Sequence, residues 1–408
     1  MAQLLLHNMR IFDGRSEELI EGQALLIEDE VIRDIGDIGS MPQNADRMDL
    51  QGQTLLPGFI DAHFHAYGFE LDLGAIDRVS PVRRGLHAKR ILEAALRRGF
   101  TTVRDAAGGD IDLALALKSG LIDGPRFFYP GLALSQTGGH GDFRSPEHHE
   151  ACTCHRSSAL AMLVDGADEM RRAVRDQLRK GASQIKLFVS GGVLSPVDPI
   201  WMNQFNDEEI RVAVEEAASK RAYVMAHCHT NEAALRCIRA GVRSIEHATL
   251  MEADGVRALV EHDAFAVPTF AIGEGMRIHA EAAGMPAVMI AKARELGDAA
   301  YASLDLLRQA KARIGFGTDV LGPVMAMQSH EFTLRTRVCT PLEVLRQATS
   351  VNAALLRMDG RLGTVAPGAF ADLVAVHGNP LKDISVLEQH DRMGLIVRDG
   401  KIVSYRPH

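Results

Sequence analysis

Long apolar runs are missing from this chain: no eighteen consecutive residues are apolar, so no segment suits a membrane-spanning helix. Cysteine is scarce, with an odd count of five. With no export signal expected, that count argues for reduced thiols rather than a disulfide framework. Basic charge is also in deficit, with 45 Lys and Arg against 53 Asp and Glu for a net charge of -8. No basic stretch supplies the charge that phosphates demand, which argues against nucleic acid or an anionic membrane as partner. The opening "MAQLLLHNMRIFDG" lacks both a charged leader and a small-residue cleavage site, so a cytoplasmic protein is expected. Cys152, Cys154 and His155 in "ACTCHRSS" have no second cysteine pair nearby, as a four-ligand structural zinc requires, and are read as loop packing.

What is present is ample apolar material: 46% of 408 residues are hydrophobic, enough for a large core. The texture changes twice. Residues 1–57 carry short alternating strands such as "QALLIEDEVIRDIG", and from 362 that texture returns in "ADLVAVHG" and "GLIVRDGKIVSY". Between them β-rich runs alternate with amphipathic stretches such as "DEMRRAVRDQLRKGA" and "NDEEIRVAVEEAASKRA". Counting "GFIDAHFH", "TTVRDAAG", "RFFYPGLAL", "SQIKLFVSGG", "AYVMAHCHT", "VRSIEHATL", "AFAVPTFAI" and "RIGFGTDV" gives eight strands. The expected fold is therefore α/β: a (β/α)8 TIM barrel over 58–361, with a small β-sandwich domain built from 1–57 and 362–408.

Barrel active sites gather at the C-terminal ends of the strands. In "LLPGFIDAHFH", His63 and His65 are two apart, so on a strand both imidazoles face one side and can meet at one point. Taken alone, the pair reads equally as one buried, hydrogen-bonded histidine beside a solvated one. The other strands weigh against that reading: Lys186 lies on the fourth, His227 ends the fifth, His247 the sixth and Asp319 the eighth. Six groups able to bind a metal or carry a proton thus fall at one end of one barrel.

These stretches resemble the amidohydrolase superfamily over nearly the whole chain. "LLPGFIDAHFH" looks like its signature first strand and "GTVAPGAFADLVAVHGNP" like its returning β domain. "TGGHGD" (137–142), "KLFVSGGVLSPVDP" (186–199) and "IEH" are most similar to the imidazolonepropionase-related group, which includes metal-dependent prolidases and carboxypeptidase-like dipeptidases. The resemblance implies a binuclear zinc centre, with one ion on His63, His65 and Asp319, the second on His227 and His247, and a hydroxide between them. An ordinary lysine is a cation and repels a metal. Lys186 fits only as the carboxylated lysine that the family uses on this strand.

The implied activity is hydrolysis of a small amide, foremost an Xaa-Pro dipeptide. Asp319 would move the proton, and His140, in the glycine-flanked "GGHGD" loop, would stabilise the oxyanion. His229 and Arg104 are the expected substrate-binding residues, with Tyr223 and Tyr301 as further carboxylate partners. Trp201, the single tryptophan, is expected in a lid over the site. Other small or cyclic amides, N-acyl amino acids and a silent metal-binding barrel are the alternatives. Self-association into a homo-oligomer is implied by resemblance alone.

Overall fold

The chain ends build two small β sheets, the second shared by both ends. In the computed structural model, which describes residues 3–144, 147, 157–195 and 197–406, strands Gln3–His7, Ala24–Glu28, Val31–Gly36 and Asp46–Asp49 form one sheet. Arg10–Ile11, Thr54–Pro57, Leu373–Val376, Met393–Arg398 and Lys401–Tyr405 form a second. The period of two divides the side chains. Leu25 and Ile27 enter a core shared with Leu6, Leu55, Leu373 and Leu395, whereas Ala24 and Leu26 face Leu5 and Met41. Antiparallel pairing of Thr54–Pro57 with Leu373–Val376 ties the two ends of the chain together.

The eight barrel strands are β1 (Phe59–Phe64), β2 (Phe100–Asp105), β3 (Arg126–Phe128 and Ala133–Ser135), β4 (Ile185–Phe188), β5 (Val224–Thr230), β6 (Ser244–Leu250), β7 (Phe265–Val267) and β8 (Arg313–Ile314). Each pairs in parallel with the next. The β3 strand is broken at Pro130 and Gly131: proline has no N–H for the ladder, and Gly131 turns the chain at φ +73°. Its first half pairs with β2 and its second with β4. Closure onto β1 uses few ladder bonds. The Asn352 side chain donates to the carbonyls of Ile60 (2.7 Å) and Phe316 (2.8 Å) and accepts from Phe316 N (3.1 Å), filling in between β1 and the chain after β8.

The principal helices after β1 to β7 are α1 (Pro81–Arg97), α2 (Ile111–Lys118), α3 (Ala167–Arg179), α4 (Asp207–Ser219), α5 (Asn231–Ala240), α6 (Ala253–Glu261), and then α7 (Ala271–His279) with α8 (Ala287–Gln309). Spacing explains their seating. On α3, Met170, Ala173, Val174, Gln177 and Leu178 are buried at intervals of three and four, leaving the arginines outside. Asn206 and Glu209 form a capping box that starts α4. Thr230 ends β5 and also caps α5, which fixes His227 and His229 just inside the strand's end. Among the described residues, no helix is long and apolar enough to cross a membrane.

Candidate active site

Strand β1 brings His63 and His65 to the mouth of the barrel, and the chain after β8 brings Asp319. His65 Nε2 lies 2.9 Å and His63 Nε2 3.4 Å from Asp319 Oδ1. Ligand atoms of the three lie within 4.8 Å of one another, the geometry of a metal triad. Burial resists ionisation of Asp319, but the two imidazoles outweigh it and hold the carboxyl well below its usual range. Buried Asp61 sets the register of this corner by accepting from Thr318 Oγ1 (2.6 Å), Gln328 Nε2 (3.0 Å) and the His63 backbone N–H (3.1 Å).

His227, His247 and Lys186 face the same space. The His247 ring centre is 4.7 Å from that of His63 and 4.7 Å from that of His227. An irregularity in the β5–β6 pairing, with His247 at φ +68° and Ala248 at φ +47°, aims His247 inward. Its Nδ1 is engaged by Thr269 Oγ1 at 2.8 Å. Lys186 is 1% exposed. Burial pulls its pKa down to about 8 against the pull of Glu246 and Asp319. An amine so placed is partly neutral near neutral pH and can act as a nucleophile.

His140 and His229 complete the ring of polar groups. His140 stacks on His227 at 4.4 Å between ring centres, and its Nδ1 is 3.1 Å from Asp198 Oδ2, which leaves Nε2 for a substrate. His229 Nδ1 lies 2.8 Å from Thr249 Oγ1. Burial, and then the charge of His140, drive its pKa down to about 3. Burial thus favours its neutral, hydrogen-bonding form. All eight of these side chains line one cavity of about 550 Å³, roofed by α7 and α8 through Met276, Ile290 and Leu296.

Arg104 does not reach that cavity. It is wholly buried, and its guanidinium crosses the barrel interior from β2 to donate to Glu246 (2.8 and 3.0 Å), Ser244 Oγ (2.9 Å) and the Ala62 carbonyl (2.6 Å). With its donors so engaged beneath the site, it cannot bind a substrate carboxylate. Tyr223 is likewise buried, under Arg243, whereas Tyr301 lines the cavity. Trp201 is 75% exposed and lies off the cavity wall; the roof is the α7–α8 hairpin. Cys152, Cys154 and His155 fall outside the described residues.

Glu246 escaped the sequence reading. Its carboxylate sits 2.7 Å from His63 Nδ1, fixing the ring so that Nε2 faces Asp319. Burial raises its pKa, but Arg104 and His63 outweigh burial and hold it near about 2. The signal was present: Glu246 directly precedes His247 in "SIEH", and a buried acid on a barrel strand needs a partner.

The fold has counterparts among known proteins. The Aspergillus niger ochratoxinase is 30% identical over 401 residues, covering 94% of this chain and 83% of that protein. A crystal structure of a prolidase complexed with N-methylphosphonate-L-proline superposes with a TM-score of 0.96 at 41% identity, covering 99% of this chain and all of that one (100%). A Xaa-Pro dipeptidase crystal structure with methionine in its active site gives 0.90 at 30% identity, covering 99% and 100%. The Amidohydrolase family profile matches residues 54–403, from the strand before the metal triad to the last strand of the returning sheet, and the chain belongs to that family.

Proposed function

We propose that this protein is a metal-dependent hydrolase that releases a C-terminal amino acid from a small amide, with an Xaa-Pro dipeptide as the foremost substrate. The observation that carries this reading is the His63–His65–Asp319 triad opening, beside His227 and His247, onto the 550 Å³ cavity. His63, His65 and Asp319, whose ligand atoms converge, would hold one divalent ion such as zinc, and His227, His247 and a carboxylated Lys186 would supply the donors for a second. The prolidase complexed with a proline phosphonate, 41% identical, supports proline as leaving group.

When bound, the metal pair supplies a water of lowered pKa and polarises the scissile carbonyl. The rest falls to the chain's own groups. Asp319 meets both histidines through Oδ1, leaving Oδ2 to take the water's proton and deliver it to the departing nitrogen. His140, carrying a proton on each ring nitrogen, is held at Nδ1 by Asp198 and donates from Nε2 to the carbonyl oxygen as charge builds there. For Lys186, the neutral amine attacks the carbon of CO2, a proton leaves nitrogen, and the ammonium is replaced by a carbamate with two oxygens. Apolar walls from Leu73, Phe143, Leu160, Phe188, Phe270 and Leu321 favour a second reading, an N-acyl amino acid with a bulky apolar acyl group.

Amino-acid release from a panel of dipeptides and N-acyl amino acids, with zinc-loaded protein and bicarbonate, tests both readings. Fastest turnover is expected with C-terminal proline, with loss on chelation and recovery on adding back zinc. A preference for bulky N-acyl amino acids selects the second reading. No turnover anywhere with two metals bound rejects hydrolysis of open-chain amides. Separately, Glu246→Gln is expected to weaken metal binding by about 10–100-fold, read by chelator competition, because His63 loses its charged orienting partner.

A further inference from the structure

The roof helix α8 sends one lysine inward. Lys292 is 9% exposed, and its ammonium donates to three main-chain carbonyls, those of Gly192 (3.0 Å), Ser195 (3.0 Å) and Asp198 (2.6 Å). An ammonium has three N–H donors, so all are used. The Asp198 carboxylate stands off at 4.0 Å. Lysine heads ordinarily stay in water, so this one is buried for the sake of the carbonyls that it grips.

Gly192, Ser195 and Asp198 lie between β4 and α4 and pack against His140, which lies between β3 and α3. Asp198 Oδ2 lies 3.1 Å from His140 Nδ1 and accepts from Gly192 N (3.0 Å) and Gln204 Nε2 (3.3 Å). Gln204 Oε1 accepts the His140 backbone N–H at 2.9 Å. Gly192 lies against the imidazole so closely that a Cβ there would stand 2.2 Å from His140 Cε1. His140 is thus held at its ring edge, ring face and backbone by Asp198, Gly192 and Gln204, and Lys292 fastens Gly192, Ser195 and Asp198 to α8.

We propose that Lys292 is a positioning residue: its clamp on three carbonyls fixes Asp198 and, through it, the His140 imidazole, so that the seating of α8 over the cavity sets the geometry for hydrolysis. This rests on the reading of His140 as the oxyanion donor and extends it by coupling the roof to that donor. A lysine serving stability alone would lower the melting temperature and leave the surviving sites unchanged.

The test uses metal-loaded protein carrying ring-15N histidine, with the His140 signals identified by their loss in His140→Gln. Lys292→Met keeps the apolar stem and removes the donors. It is expected to move the His140 ring signals and to lower kcat about 10- to 100-fold at full metal content, with KM changed by about threefold at most. Lys292→Arg should recover much of kcat. In the His140→Gln background, Lys292→Met should cost nothing more, since both act through one ring. His140 signals that stay in place, or losses that add in full, overturn the proposal. Should Lys292→Met fail to fold, Lys292→Gln is measured by the same criteria. If the wild type turns over no amide while the His140 signals still move, the hydrolase reading fails and the clamp stands.

Discussion

Asp319→Asn is expected to lower kcat for amide hydrolysis by about 10²–10⁴-fold, the range that a positioned proton-transfer group contributes. The variant is nearly isosteric and keeps an Oδ1 that can face His63 and His65, now at 3.4 and 2.9 Å. What it loses is the basic oxygen that takes a proton from the attacking water. The measurement is kcat alongside metal content by elemental analysis, since lost metal mimics lost chemistry. Unchanged kcat with the metal retained would show that the proton travels elsewhere. A silent metal-binding barrel would show no turnover in either form.

Legibility followed depth in the barrel. His63, His65, Lys186, His227, His247 and Asp319 could be read because the period of two and the strand-end rule together predict position, whereas His140 and His229 were legible only through the family resemblance; all eight line one cavity. Alternation also places Arg104 inside the barrel. It does not say how deep, and one layer below the mouth a cation serves Glu246 rather than a substrate. Bonds that join distant stretches were harder to see. Lys292 meets carbonyls almost a hundred residues away, and Asn352 ties β1 to the chain after β8, and neither leaves a local pattern. The break in β3 was written in "YPGL", since proline and glycine interrupt a ladder, but "RFFYPGLAL" reads as one strand when only its apolar content is counted. The turn of the backbone at His247 and Ala248 comes from strand pairing, which no residue type announces.

Arg104→Met is expected to destabilise the protein by about 3–5 kcal/mol, the cost of leaving one member of a buried ion pair uncompensated. The guanidinium and Glu246 are both fully buried, with contacts of 2.8 and 3.0 Å, and Ser244 Oγ and the Ala62 carbonyl lose their donor as well. Glu246 would then hold only His63 and Ser244, in a site too dry for a free carboxylate. Removing both charges, as Arg104→Met with Glu246→Gln, should recover part of the stability, because no unpaired charge remains. Urea unfolding of metal-free protein reads this directly, and metal-loaded protein reports in addition the loosened His63. An arginine that anchored a substrate carboxylate would behave in the opposite way: stability would hold, KM would rise for substrates ending in a carboxylate, and carboxamide-terminated analogues would be unaffected. The guanidinium's engagement with β1 and β6 makes the first pattern the expected one.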